Sequence, residues 1–327
     1  MKIIVGTRGS ALALWQANWA RDQLVILRHA AEIKVIRTSG DQPERPGPVP
    51  ATAASVAGGG KGLFIKELEE ALLAGSIDVA VHSLKDLPLD QPAGLTIAAI
   101  SARQEARDVL VCREGALPKD AGGFDALPAG ARVATGSLRR QAQLRHLRPD
   151  LRYVPIRGNV DTRLRKLDAG ECEALVLAAA GLIRLGLEAR IGETFSPDRL
   201  CPAPGQGALG IETRADATAG ESSVEVAASA LNDPDTRHAV RAERAVIWHL
   251  GGDCSTPVGA YAEASAGHLS LTAIVASPDG SRVIRADASG FITHPEELGS
   301  QVAEDLLRQG ARQILGNVPD EQASASL

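Results

Sequence analysis

Along the first 213 residues, short apolar runs alternate with stretches in which apolar residues recur every three or four positions. The short runs predict strands, and the helical spacing predicts amphipathic helices. The predicted strands cover residues 2–6, 33–37, 78–82, 95–100, 109–112, 132–135, 152–155, 174–177 and 208–213. The predicted helices cover residues 10–28, 64–73, 137–147, 159–169 and 179–185. This alternation indicates an α/β fold with mostly parallel, doubly wound sheets.

The last third of the chain has a different pattern. It predicts a helix over residues 235–250, strands over 258–263, 269–276 and 281–288, and a closing helix over 295–309. Polar and apolar positions alternate along these strands, and tight turns separate them. We therefore expect a small α+β domain, followed by a polar, frayed tail from about residue 316.

Residues 42–60 interrupt the periodicity with four prolines and the run Gly58-Gly59-Gly60. Such a stretch predicts a long, mobile loop of the kind that often covers a site.

Composition narrows the function classes. The chain has 327 residues and a formal net charge of -5, which indicates two or three domains and disfavours a general nucleic-acid binder. Aromatic residues make up only 3%, so stacking platforms for single-stranded nucleic acid are not expected. No apolar run approaches the roughly 18 residues that would predict a membrane span.

Cysteine usage points to a reducing compartment. Cys112, Cys172, Cys201 and Cys254 are too widely spaced for a disulfide framework or a zinc ribbon, so we predict no metal site. Four free thiols and an N-terminus without secretory features favour the cytoplasm. Cys112 and Cys172 are expected in the core, and Cys201 at a hinge.

Arginine supplies most of the positive charge, with 28 Arg against 7 Lys. Codon bias is the simplest explanation of that ratio, but the distribution is uneven. Residues 132–165 hold nine Arg and two acidic residues, a net charge of +7 that leaves -12 on the rest of the chain. Codon bias does not predict that segregation.

Three of these arginines, Arg139, Arg140 and Arg157, lie at predicted strand-to-helix junctions. In a doubly wound sheet such junctions line the crevice at the strand C-termini, where helix N-termini add partial positive charge. They predict a small, multiply anionic ligand held by bidentate contacts. A solvated helix face with i,i+4 pairing is the better interpretation of Arg145, Arg148, Arg152 and Arg165.

The pair Lys85–Asp86 and the loop residue Cys254 are further candidates for a role in catalysis or attachment. Lys85 and Asp86 follow a buried strand, and Asp86 can accept a proton or face a developing cation, although spacing alone favours an ordinary turn ion pair. Cys254 lies in a glycine-rich loop where a thiol is accessible for attachment. A loop cysteine without function is an equally good interpretation.

Seven segments together resemble the porphobilinogen deaminase (hydroxymethylbilane synthase) family. They are VGTRGSALALWQ (5–16), GKGLFIKELE (60–69), VHSLKDLP (81–88), GSLRRQAQL (136–144), IRGNVDTR (156–163), PAPGQGALG (202–210) and LGGDCSTP (250–257). Each is weak alone, but they occur in the family's order and spacing. The resemblance implies two lobes like those of periplasmic binding proteins, with the active cleft between them. It assigns residues 1–104 and 201–222 to domain 1, 105–200 to domain 2, 223–315 to domain 3, and 316–327 to a flexible tail.

The resemblance also implies a function. Family enzymes join four porphobilinogen molecules head to tail on a dipyrromethane primer bound through a thioether, releasing ammonia and hydroxymethylbilane. Cys254 matches the attachment cysteine, Asp86 the catalytic carboxylate, and Lys85 its neighbouring contact. Lys61 and Phe64 match the hinge side of the mobile loop. The positions that match contacts to the acetate and propionate groups are Arg8, Ser10, Ser83, Thr135, Ser137, Arg139, Arg140, Arg157, Asn159, Arg163, Arg184 and Gln206.

Two other classes compete with a monomeric, cytoplasmic transferase of tetrapyrrole (haem) biosynthesis. An anion-binding protein without chemistry would share the two-lobed fold, but would need neither Asp86 beside Lys85 nor the Cys254 loop. A DNA-binding regulator would need a helix-turn-helix segment, which the N-terminal sequence lacks, and a more basic chain. We therefore expect porphobilinogen as the substrate, with no nucleic-acid or membrane partner.

Overall fold

The structure is a computed structural model that describes residues 2–36, 65–116, 123–215, 224–252 and 256–316. The strands of these residues are β1 (Lys2–Thr7), β2 (Ala30–Val35), β3 (Val79–Ser83), β4 (Leu95–Ile100), β5 (Asp108–Cys112), β6 (Arg132–Ala134), β7 (Arg152–Val154), β8 (Ala174–Ala178), β9 (Glu193–Thr194), β10 (Leu209–Arg214), β11 (Val258–Ser265), β12 (His268–Ala276) and β13 (Val283–Phe291). The α-helices are α1 (Ala11–Ile26), α2 (Lys66–Leu73), α3 (Leu138–Leu147), α4 (Val160–Asp168), α5 (Ala179–Arg184), α6 (Val224–Ser229), α7 (Pro234–Leu250), α8 (Pro295–Arg308) and α9 (Ala311–Leu315).

Two five-stranded sheets share one topology. The first has the order β2-β1-β3-β10-β4, and the second the order β7-β6-β8-β5-β9. In each, three neighbouring strands are parallel, and the fourth, β10 or β5, is antiparallel to both its neighbours. With their helices they form a first lobe (β1–β4, β10, α1, α2, α6) and a second lobe (β5–β9, α3–α5). The α/β class expected from the sequence is confirmed.

A third lobe contains the antiparallel sheet β11-β12-β13 with α7, α8 and α9. The inward side chains of its strands pack against α7 and α8 in one apolar core. Asp233 caps α7 by accepting a hydrogen bond from the Thr236 amide, and Pro234 follows at the first helical position. This α+β unit agrees with the sequence pattern.

The segments that cross between the first two lobes meet the third lobe at one buried carboxylate. Glu243 of α7 is fully buried and accepts hydrogen bonds from both terminal nitrogens of Arg103, at 2.6 and 3.0 Å. It also accepts from the amides of Gly205, at 2.7 Å, and Ala262, at 2.8 Å. Because Arg103 lies on the outgoing crossing and Gly205 on the return, Glu243 ties all three lobes together.

The elements differ from their predicted bounds in a few places. The second strand was predicted at residues 33–37 but covers Ala30–Val35, and the short elements β9 and α6 were not predicted. α6 packs on the first sheet through Ala227 and Ala228, although it follows the predicted start of domain 3. The predicted loop at 42–60 and the tail beyond residue 316 lie outside the described residues. No described helix is long and apolar enough to cross a membrane.

Candidate functional site

Lys85 and Asp86 lie together in a 3-10 turn at the carboxyl end of β3. Leu84, the first residue of this turn, is completely buried and anchors it in the core. Its two polar neighbours are half-buried at the surface of the first lobe. Lys85 donates from Nζ to Oε1 of Gln206 at 3.1 Å. The turn thus presents a carboxylate beside an ammonium group whose position is set by a residue on the return crossing.

On the second lobe, Asp108 holds two of the predicted arginines. Its Oδ2 accepts from Nη2 of Arg139 at 2.7 Å, and its Oδ1 accepts from Nε and Nη2 of Arg140 at 2.9 and 2.7 Å. All three side chains are buried. Burial alone would raise the pKa of Asp108, but the two guanidinium charges and hydrogen bonds from Arg140 and Gln206 lower it to about 2. Asp108 is therefore ionised, and this cluster keeps one net positive charge.

Gln206 connects the two halves. Its Nε2 donates to the Ala106 carbonyl at 2.6 Å and to Oδ1 of Asp108 at 2.8 Å, while its Oε1 accepts from Lys85. The following residue, Gly207, has φ +94°, and a Cβ there would lie 2.3 Å from the Gln104 carbonyl oxygen, so only glycine fits. The sequence around Gln206 thus forces the turn that places its amide between the lobes.

Arg184, at the end of α5, is a buried cation held by a backbone carbonyl and an aromatic ring. Its Nη2 donates to the Gly207 carbonyl at 2.7 Å, and its guanidinium lies 5.5 Å from the centre of the Trp15 ring. Burial lowers the pKa of Arg184 to about 10, which leaves it charged at neutral pH. No carboxylate of the described residues pairs with it, so this charge is available for an anionic ligand.

Arg163 of α4 is electrostatically coupled to both halves of the site. Its Nε donates to the Gly158 carbonyl at 2.8 Å. Burial lowers its pKa, the charge of Arg140 lowers it further, and the charge of Asp86 opposes both effects. Arg163 of the second lobe therefore interacts with the carboxylate of the first.

The four predicted hydroxyl residues already accept hydrogen bonds from the protein. Ser10 and Ser137 cap α1 and α3 by accepting from amides in the first turns. Thr135 Oγ1 accepts from the Ser137 amide at 3.3 Å, and Ser83 Oγ accepts from Nε2 of Gln16 at 2.9 Å. A hydroxyl that accepts one bond still has its own proton to donate. Each therefore retains a donor suited to a ligand carboxylate.

The remaining predicted contacts lie at the same edges of the two sheets. Arg8 follows β1 and is half-buried, while Arg157 and Asn159 are exposed between β7 and α4. Asn159 occupies the N-cap position of α4 without a side-chain capping bond. Arg8, Lys85 and Asp86 follow parallel strands of the first lobe, and Ser137, Arg157 and Asn159 follow β6 or β7 of the second. These six residues therefore lie at the carboxyl ends of parallel strands, where ligands of such sheets bind.

Three predicted residues, Cys254, Lys61 and Phe64, lie outside the described residues. Of the other cysteines, Cys172 and Cys201 are buried and Cys112 is half-buried. Asp108 was not predicted from the sequence. An acidic residue at the start of an apolar strand is nevertheless a usable signal, because a buried carboxylate needs cationic partners. Nothing local to residue 108 identifies those partners, which lie 31 and 32 positions further along the chain.

Comparisons with known proteins identify the family. The model for the porphobilinogen deaminase dipyromethane cofactor binding domain matches residues 3–222, and the model for the C-terminal domain of porphobilinogen deaminase matches residues 238–308. The chain is 47% identical over 316 residues to a porphobilinogen deaminase of Pelobacter propionicus, covering 96% of each chain. It is 46% identical over 319 residues to one of Thermus thermophilus, covering 97% of this chain and 99% of the relative. A solved ABC transporter periplasmic substrate-binding protein from Coxiella burnetii is similar at 15% identity and a TM-score of 0.41, over 72% of this chain and 94% of that one, which is too distant to bear on function.

Proposed function

Because this chain belongs to the porphobilinogen deaminase family, we propose that it is a transferase, a hydroxymethylbilane synthase of tetrapyrrole (haem) biosynthesis. It joins four porphobilinogen molecules head to tail, releases ammonia at each addition and delivers linear hydroxymethylbilane. The observation that supports this most directly is the link between Asp86, beside Lys85, and the cationic cluster of the second lobe through Gln206.

We propose three domains that differ from the division predicted from the sequence at one boundary. Domain 1 contains residues 1–104 and the stretch from 201, and domain 2 contains residues 105–200. We move the start of domain 3 from residue 223 to 233, because α6 packs with the first sheet and Asp233 begins α7. The protein acts as a monomer in the cytoplasm.

The site's donors suit a dipyrromethane primer attached to Cys254 through a thioether. Pyrrole acetate and propionate groups need charged donors, and Arg184 is a buried guanidinium without a carboxylate partner in the described part of the chain. Nε of Arg139 is buried and makes no hydrogen bond there. Ser137 and Thr135 add hydroxyl donors, and Arg163 adds a second-lobe cation that is coupled to Arg140 and Asp86. When bound, the primer would supply the free pyrrole carbon to which the first porphobilinogen unit is added.

The chain's own residues then do three things. The arginines and hydroxyls bind carboxylates, which orients each pyrrole relative to Asp86. The Asp86 carboxylate accepts hydrogen bonds from pyrrole N–H groups and stabilises the azafulvenium cation that is left when porphobilinogen loses ammonia. It also takes up the proton that is released from the ring carbon. Lys85, held by Gln206, keeps a compensating positive charge beside it.

Porphobilinogen turnover tests this function. The primed wild-type protein should consume porphobilinogen and release one ammonia for each molecule consumed. Asp86→Asn should lose about 100-fold or more of this rate, because positioned proton transfer contributes about 10²–10⁴-fold. Asp90→Asn, four residues away on the exposed surface, is the matched control and should keep the wild-type rate. A wild-type protein that leaves porphobilinogen intact contradicts the function, and an active Asp86→Asn removes Asp86 from it.

A further inference from the structure

Asp108 has no place in the steps above, yet its carboxylate accepts hydrogen bonds from Arg139, Arg140 and Gln206, which are all predicted site residues. It is the first residue of β5, directly after the crossing from the first lobe, and it is fully buried. Its two oxygens accept four hydrogen bonds, one from Arg139, two from Arg140 and one from Gln206. This single carboxylate therefore contacts three residues that the family resemblance assigns to the ligand.

The hydrogen bonds also fix which way the Gln206 amide points. Because Asp108 is ionised it can only accept, so together with the Ala106 carbonyl it selects the Nε2 end of the amide. The opposite end, Oε1, is thereby turned toward Nζ of Lys85 at 3.1 Å. A continuous path of hydrogen bonds runs from Asp108 in the second lobe, through Gln206, to the residue beside Asp86 in the first.

We propose that Asp108 is a positioning residue of the reaction: it orients Gln206 so that Lys85 is held beside Asp86, while it fixes Arg139 and Arg140 in the opposite lobe. This inference rests on the proposed function and deepens it. The hydrogen-bonded path from Asp108 to the first lobe runs through Gln206. A dependence of Lys85 on that path separates Asp108 from a residue that merely stabilises the fold.

Replacing Asp108 by Asn keeps its size but removes the charged one of the two acceptors that hold Nε2 of Gln206. In Asp108→Asn we expect kcat to fall about tenfold or more, because Gln206 and Lys85 lose their fixed orientation. KM for porphobilinogen should change less, because the Asn oxygen can still accept a hydrogen bond from one arginine while both arginines lose a competing anion. Gln206→Met interrupts the same path one step later and should lower kcat similarly. The double variant should be no worse than the more impaired single variant, since both changes remove one path.

Lys85 provides a readout that does not depend on turnover. In the unprimed protein, the acetylation rate of Lys85 relative to exposed Lys66, followed by peptide mass spectrometry, should rise severalfold in Asp108→Asn and in Gln206→Met. Glu173→Gln is the control, because Glu173 pairs with Arg132 of the same lobe at 2.6 Å and makes no hydrogen bond to Gln206 or Lys85. It should change neither the acetylation ratio nor kcat.

The outcomes distinguish failure of the proposed function from failure of the positioning role of Asp108. Wild-type protein that consumes no porphobilinogen refutes the function, whatever Lys85 does. If wild type is active, unchanged kcat and an unchanged acetylation ratio in folded Asp108→Asn overturn the positioning role. Effects of the two single variants that multiply in the double variant also overturn it. If Asp108→Asn does not fold, the Gln206→Met variant alone tests the proposal. Wild-type kcat and a wild-type Lys85 acetylation ratio in that variant would refute the path of hydrogen bonds from Asp108 to Lys85.

Discussion

The buried pair of Arg103 and Glu243, where the three lobes meet, predicts a large loss of stability when Glu243 is changed. Glu243 is fully buried, and the Arg103 side chain that it binds is only 13% exposed. Glu243→Gln keeps the shape and one acceptor oxygen but leaves the Arg103 guanidinium buried without its counter-ion. Removing one member of a buried pair costs about 3–5 kcal/mol, because the remaining charge stays desolvated. We expect the variant to lose about 3 kcal/mol, since Gln can retain some of the hydrogen bonds.

Urea unfolding, followed by circular dichroism and by hydrogen exchange at the Gly205 and Ala262 amides, measures this loss. The control is Glu296→Gln, which breaks the pair between Arg241 and Glu296, where both side chains are about half exposed. Exposed pairs contribute about 0–1 kcal/mol, so this variant should be nearly as stable as wild type. Equal losses in both variants, or unchanged protection of the two amides in Glu243→Gln, would refute the assignment of Glu243 as the joint of the lobes.

Three further predictions follow from the site and the core. Arg184→Leu should lower kcat/KM for porphobilinogen at least about tenfold, because a hydrogen bond to a charged group contributes about 1.5–3 kcal/mol. Arg184→Lys should recover part of the lost kcat/KM. A wild-type kcat/KM in the Leu variant would show that Arg184 does not bind the substrate. The pKa of Asp108 is depressed from 3.8 to about 2, so its stabilisation is complete above pH 4 and is lost as pH falls toward 2. Urea titrations at each pH should therefore show a steeper loss of stability in wild type than in Asp108→Asn over that interval, and parallel curves would argue against the ion cluster. Burial raises the pKa of Cys112 and Cys172 to about 11 and that of Cys201 to about 12. Iodoacetamide at pH 8 should therefore leave all three thiols unmodified in the native protein. Carbamidomethylated Cys201 in a peptide map would contradict the burial of this residue.

Local patterns were enough to predict most of the fold. Apolar runs and helical spacing located β1, β4 and α3 to within a residue or two, because those signals are contained in the segment itself. The second strand was misplaced because its apolar residues do not mark its start at Ala30. The two-residue strand β9 exists only through its pairing with β5, and no local pattern encodes such a pairing.

The charge pattern overstated how many arginines are free to bind a ligand. The +7 of residues 132–165 suggested many uncommitted arginines, yet Arg132 pairs with Glu173, and Arg139 and Arg140 pair with Asp108. These acids lie outside the segment in sequence and beside it in space, so a local count overstates the local charge. Arg148, expected on a solvated helix face with i,i+4 pairing, instead pairs with Asp150 two residues later and donates to carbonyls near residue 125.

Intact mass spectrometry of the purified protein shows whether this chain builds its product on a primer attached at Cys254. We expect a mass above the 34.1 kDa of the chain by one dipyrromethane, with the added mass mapping to the peptide that contains Cys254. The Cys254→Ser variant should have the unmodified mass and no porphobilinogen turnover, whereas Cys112→Ser should keep both the adduct and the activity. An active protein with the bare chain mass, or an adduct that survives Cys254→Ser, would rule out a primer attached at this cysteine.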